Sequence, residues 1–203
     1  MKRTKDANAE QIILNAAKNV FQRKGMDGAR MQEIADEAGI NKALLHYYYR
    51  SKQLLFEAVF KNAFSLLAPQ LKKILNDDST LEDKIKNFTS SYISFISKHP
   101  YLPNFVIQEI NRNPEFILKM KENEEFPNLE KFKKQVNHDV KKGHIQSIKA
   151  EQLFINVLSL SVFPFIGSPL IKAIGNINDN QFKQLIEERK THVANFIINS
   201  IKA

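Results

Sequence analysis

Met31-Gln-Glu-Ile-Ala-Asp-Glu-Ala-Gly-Ile-Asn-Lys-Ala-Leu-Leu-His-Tyr-Tyr48 decides how the rest of the chain is read. Ala35 is small enough for two helices to cross closely. Gly39, four positions later, takes the positive φ that a tight interhelical turn demands. Ile34, Ala38, Ile40, Leu45 and Tyr48 supply the apolar contacts that lock such a pair. The spacing predicts a short helix over 31–38 closed by Gly39, then a second running from Asn41, a good N-cap type, to about Tyr49. A helix-turn-helix of this kind holds its second helix rigidly enough to enter a major groove. Lys42, Ala43, Leu44, His46 and Tyr47 fall on the outward side, and Asn41 at the helix start is counted with that DNA face. Tyr47, Tyr48 and Tyr49 span roughly 200° of a helix with about 3.6 residues per turn, so they cannot all face DNA. Tyr48 lies on the leucine side and is assigned to the core, and Tyr49 is expected to pack beneath the next helix.

Reading outward, Arg50-Ser51-Lys52 follows directly. Ser51 reads as the N-cap of a fourth helix, where Lys52 and backbone N–H groups can jointly hold a phosphate. Upstream, Ile12, Ile13, Ala16, Ala17, Val20 and Phe21 mark one face of a first helix over about 8–24, with Gly25 at its C-terminal end. Residues 1–52 hold ten Lys/Arg against six Asp/Glu, so half of the total charge of +8 sits in the first quarter of the chain. A concentrated basic end points to a polyanionic partner.

Helical periodicity continues to the last residues. The fourth helix is expected to end or bend at Pro69, since proline cannot continue a helix undisturbed. Further helices are expected from Thr80 to His99-Pro100, over 101–112, 114–122 and 128–142, and over 149–166 and 179–202. No period-2 strand and no repeat is apparent. The fold class is all-α, with a compact N-terminal unit over 1–52 and a larger helical bundle over 53–203. The most apolar window, Leu153 to Gly167, is too short for the roughly 20 residues of a bilayer span and reads as a buried helix. The first residues lack the apolar core of a secretory signal, so a cytoplasmic location is expected and no membrane partner.

Composition narrows function. At 43% hydrophobic and 26% charged, the 203 residues have the balance of a folded protein. The absence of cysteine excludes disulfides, Cys-ligated zinc, iron–sulfur clusters and thiol catalysis. There is no glycine-rich phosphate loop and no His-Glu-x-x-His pair, and the five histidines are scattered. The chain is read as no enzyme, with no metal and no cofactor. A helical adaptor that binds protein without reading DNA stays as the alternative.

In the bundle, Phe88, Tyr92, Phe95, Phe105, Phe116, Phe132, Phe154 and Phe163 are either plain core or the lining of an apolar cavity between helices. Glu109, Gln108 and His99 are polar candidates for orienting a ligand there, and the ligand would be apolar or amphipathic. Leu153, Val157 and Leu160 make one stripe, and Phe182, Leu185, Ile186, Val193, Phe196 and Ile197 another. These stripes are either intrachain core or a dimer surface.

From about Ala9 to Val59 the sequence resembles the TetR family of bacterial transcriptional regulators. Ile34-Ala35, Ala38-Gly39-Ile40-Asn41-Lys42, Leu45 and Tyr49-Arg50-Ser51-Lys52 carry the likeness. Past Phe60 only size and helical layout are similar. The resemblance implies a helix-turn-helix head followed by a ligand-binding and dimerisation domain, a homodimer, a palindromic double-stranded operator and a small-molecule inducer. It implies groove contacts from Lys42, Ala43 and Leu44, base or phosphate contacts from His46 and Tyr47, and a phosphate contact from Lys52. It also turns the two stripes into an interface that sets two recognition helices about 34–36 Å apart. Two positions depart from the family pattern. His46 stands where an aromatic is common, and Ala29-Arg30 replaces the usual Ser/Thr cap, so Arg30 is assigned an ionic phosphate contact in place of a hydroxyl one. Repression is expected over activation, because occupying a promoter needs no further contact.

Overall fold

The computed structural model describes residues 2–121 and 126–203, and within these the side chains of 2–7, 74, 116, 117, 119 and 120 lie outside the description. The described residues form eleven α-helices. They are α1 Lys2–Gly28, α2 Met31–Glu37, α3 Lys42–Tyr48, α4 Lys52–Asn76, α5 Leu81–Lys98, α6 Leu102–Arg112, α7 Pro114–Lys121, α8 Glu130–Lys141, α9 Ala150–Ile166, α10 Ser168–Gly175 and α11 Asp179–Ile201. The one extended pairing among them is an isolated antiparallel bridge, Ile145 to Lys202. The chain divides into two compact units, Met1–Ser65 and Leu66–Ala203, and α4 contributes to both.

In the first unit, Ile13, Ala17, Val20 and Phe21 of α1, Ile34 and Ala35 of α2, Leu45 of α3 and Leu55, Phe56 and Phe60 of α4 are buried. Phe21 and Phe56 meet edge-to-face at 4.9 Å. Gly25 interrupts α1 at φ 68°, as its position in the sequence suggested, but helical backbone resumes to Gly28.

In the second unit α5 packs along α11 and α9. Its core gathers Phe88, Tyr92 and Ile96 from α5, Phe132 and Val136 from α8, Leu153 and Val157 from α9, and Val193 and Ile197 from α11. Thr80 caps α5 by accepting from the Asp83 N–H at 3.1 Å, and Asn178 caps α11 in a reciprocal capping box with Gln181.

Four expectations change. Helix α4 runs through Pro69 to Asn76 instead of ending there. The proline removes one backbone donor, that toward the Ser65 carbonyl, and the loss of one bond does not stop a helix with a long apolar face. Helix α10 was not foreseen, and it meets α9 at 75°. Helix α9 is buried on one side only, since Ile155 and Phe163 are 52% and 53% exposed. The two stripes assigned to a dimer surface mostly face their own core: Leu153, Val157, Ile186, Val193 and Ile197 are buried, and Leu160 and Phe182 half-buried. The apolar side chains that α9 and α11 turn outward are Ile155, Phe163 and Phe196.

Candidate nucleic-acid interface

The turn between α2 and α3 is built by Gly39. At φ +66° it lets its own N–H reach the Asp36 carbonyl at 3.1 Å and the Ile40 N–H reach the Ala35 carbonyl at 3.0 Å. These are the two bonds of a Schellman closure, which satisfies carbonyls that a helix end leaves unpaired. A β-carbon at Gly39 would touch nothing within 4 Å, so Gly39→Ala isolates the cost of the left-handed backbone. It is expected to lose roughly 1–2 kcal/mol in a urea melt, and Gly39→Asn less, because asparagine tolerates this region.

Asn41 then starts α3, its Oδ1 accepting from the Leu44 N–H at 2.7 Å. Leu45 is the buried anchor of this helix. With Leu45 inward, Lys42, Ala43, Leu44, His46 and Tyr47 are all exposed, Tyr47 to 80%. Tyr48 is half-buried and holds Tyr47 edge-on at 5.4 Å, so it is less deeply placed than its core assignment. The deeper ring is Tyr49, whose hydroxyl donates to Glu10 of α1 at 3.0 Å. Burial first, and the Glu10 carboxylate second, hold the Tyr49 phenol above its usual pKa. The α3 end is thereby tied to α1.

Charge is sorted across the head. Two of the three acids of α2 are neutralised from α1: Arg23 pairs with Glu37, and Lys24 meets Glu33 at 2.7 Å, while the Asp36 carboxylate accepts from the Gln32 amide at 2.8 Å. The hydrogen bond from Arg23 keeps the Glu37 carboxyl below its ordinary range. Arg30, Lys42 and Arg50 are exposed, and none has a carboxylate partner among the described residues. Arg30 occupies the N-cap position of α2 and makes no side-chain cap there, so its guanidinium is not spent on the helix end. Arg50, which sequence reasoning quoted only as part of a motif, joins Arg30 and Lys42 as the third such cation. Its signal was its place directly after the recognition helix.

Lys52, assigned to phosphate, has partners within the chain. Its ammonium donates to the carbonyls of Asp27 at 3.2 Å and Ala29 at 3.0 Å, bracing the link between α1 and α2. Ser51 does cap α4, accepting from the Leu54 N–H at 3.2 Å.

The residues assigned to a ligand cavity divide. Phe88, Phe132 and Phe154 converge with Leu75, Lys84, Ile85 and Val157, but the space among them is about 10 Å³, room for at most one water. Tyr92 and Phe105 are buried, Phe95 is half-buried, and Phe163 is exposed, not lining anything inward. The side chain of Phe116 lies outside the described residues. Gln108 is exposed, while Glu109 is buried: its Oε2 accepts from Arg112 at 2.9 and 2.8 Å, and its Oε1 is sealed from solvent with no donor among the described residues. No group of three or more potential metal ligands converges among the described residues.

Residues 13–59 match the family model of bacterial regulatory proteins, tetR family. The chain is 35% identical over 81 residues to the HTH-type transcriptional regulator RutR of Escherichia coli K12, a match covering 39% of this chain and 38% of that protein. It is 27% identical over 88 residues to the HTH-type transcriptional repressor NicS of Pseudomonas putida, covering 43% and 42%. The chain therefore spans less than half the length of these curated relatives. A solved TetR family transcription regulator from Marinobacter aquaeolei VT8 superposes over 98% of both chains with a TM-score of 0.67 at 16% identity, a likeness of fold alone.

Proposed function

We propose, for a chain whose residues 13–59 match the family model of bacterial regulatory proteins, tetR family, a dimeric DNA-binding regulator that represses from a palindromic operator and is released by a small effector. One observation carries this reading: α3 turns Lys42 to Leu44, His46 and Tyr47 outward around buried Leu45, beside Arg30 and Arg50, which have no carboxylate partner among the described residues, while Glu33 and Glu37 of α2 are neutralised. Phosphate contacts from Arg30, Lys42 and Arg50 fix register, and Leu44, His46 and Tyr47 meet base edges. Asn41 and Lys52 then act by holding α3 and the α1–α2 link in place. An adaptor without DNA binding is not favoured, because it gives no reason to leave three cations unpaired around a short projecting helix. Catalysis has no part in the reading, and the protein works where the operator is, in the cytoplasm.

The effector site belongs to residues 53–203. Because Phe88, Phe132 and Phe154 leave almost no space, an apolar effector entering there stabilises a second, opened arrangement. Its leverage is its preference for that arrangement. A 100-fold preference, about 2.7 kcal/mol, is enough to empty much of the operator, with α4 carrying the change because it contributes to both units.

Selection of bound sequences from random duplex DNA by the full chain is expected to return a palindrome. On that duplex, Lys42→Ala and Tyr47→Ala are each expected to weaken binding about tenfold or more in fluorescence anisotropy, the first by a lost phosphate contact and the second by a lost base contact. Unchanged affinity in both variants and in Arg50→Ala would reject this face.

A further inference from the structure

Helix α9 contains Pro164, which has no N–H to give the carbonyl of Leu160 four residues earlier. Arg189 of α11 fills that gap, its Nη2 donating to the Leu160 carbonyl at 2.6 Å. The bond stitches α9 to α11 and fixes the guanidinium in one place. Its Nε is buried and has no acceptor among the described residues. Beside it opens a pocket of about 130 Å³ lined by Leu160, Arg189, His192, Val193 and Phe196. An engineered apolar cavity of roughly 150 Å³ takes up benzene, so this one suits a single aromatic ring. Leu160, Val193 and Phe196 give apolar walls, and the guanidinium favours the electron-rich face of a ring.

The surface around the pocket is unusual for one facing water. From Gln152 to Ile171 there is no Asp, Glu, Lys or Arg, although Ile155, Phe163 and Leu170 are exposed. Loss of charge at the centre of a patch is the compositional mark of an interface core. Phe163 stands on this run, one turn from Leu160, and its ring rests over Gly167. A β-carbon there would lie only 3.1 Å from the ring tip.

We propose that Phe163 of one copy seats in the Leu160–Arg189–His192–Val193–Phe196 pocket of a second copy, with the same contact returned across the two-fold axis. This rests on the homodimer reading given above and names how its two copies lock. A second copy is the occupant because ring and socket occur on the same face of one chain, and a two-fold interface pairs each with the other twice. The aromatic face of Phe163 complements the cationic edge that Arg189 presents.

Sedimentation equilibrium of the purified full chain, diluted through the micromolar to nanomolar range, tests this. Phe163→Ala is expected to raise the dimer Kd about thirty-fold, the size of a truncated interface hot spot, with helix content unchanged. His192→Ala is expected to raise it less. The double variant is expected to cost less than the two changes together, because both act on one contact. Strictly additive effects, or a dimer indifferent to Phe163→Ala, would overturn the socket and leave the homodimer standing. A wild-type chain that stays monomeric throughout would remove both. A dimer indifferent to Phe163→Ala whose socket binds phenol from solution would give the pocket to a small aromatic ligand instead.

Discussion

Raising salt from about 50 to about 200 mM is expected to weaken operator binding roughly a thousandfold. The steepness follows from the charge sorting in the head. Arg30, Lys42 and Arg50 have no carboxylate among the described residues, so each is free to neutralise a phosphate. Three cations in each of two heads displace about six condensed counterions, and at about −0.9 per phosphate the slope of log affinity against log salt is near −5. Fluorescence anisotropy on a labelled, selected operator at several salt concentrations reads that slope. Arg30→Ala takes away one phosphate per head and is expected to flatten the slope by about 2 across the dimer. Arg23→Ala is the contrasting change: its guanidinium is already committed to Glu37, so the slope is expected to hold. A wild-type slope near −1 would mean that these three side chains do not meet the backbone.

The head was legible in the sequence because its determinants are local. Gly39 must adopt φ +66° and Asn41 must cap within three residues, and both choices are written in the residues themselves. The carbonyl contacts of Lys52 were not legible for the opposite reason. A lysine at a helix start reads as a phosphate ligand, and only the fold brings the Asp27 and Ala29 carbonyls to it from more than twenty residues away. Helix α10 escaped notice because Pro164, Gly167 and Pro169 crowd together as apparent breakers. Pro169 in fact sits in the first turn of α10, where its missing N–H costs nothing. The stripes on α9 and α11 show why periodicity names an apolar face without naming its cover. Leu153 and Val193 satisfy the pattern and are buried in their own unit, while Phe163 and Phe196 satisfy it and are not. Phe88, Phe132 and Phe154, three of the aromatics read as core or cavity lining, do converge, but a sequence carries no measure of how tightly such rings close.

Lys84 was overlooked, although it interrupts the apolar stripe of α5 between Leu81 and Phe88, and it supports the second prediction. Lys84→Met is expected to lower the free energy of unfolding by about 3 kcal/mol, the lower end of what breaking a buried charge pair costs. Only 2% of Lys84 is exposed. Its ammonium donates to the carbonyls of Asp77 at 3.0 Å and Leu75 at 3.4 Å and faces the Asp77 carboxylate at 3.4 Å. The carbonyls of a helix's last turn have no donor of their own, so the lysine finishes α4 from α5. Methionine fills similar volume and leaves little cavity. The loss is therefore expected to come from stranded carbonyls, at about 1–3 kcal/mol each when sealed from water. Asp77 is one-third exposed and can turn to solvent, which keeps the total near the lower end. From α8, Lys131 holds the Asn76 carbonyl at 2.8 Å and Gln135 that of Ser79 at 2.9 Å. Lys131 is far more exposed than Lys84, so Lys131→Met is expected to cost less. Lys86→Met, which removes only an exposed pair with Glu82, is expected to change nothing measurable. Urea unfolding followed by circular dichroism ranks the three. If Lys84→Met unfolds at the wild-type midpoint with an unchanged slope, water has replaced the ammonium at those carbonyls, and the end of α4 is held by α8 alone.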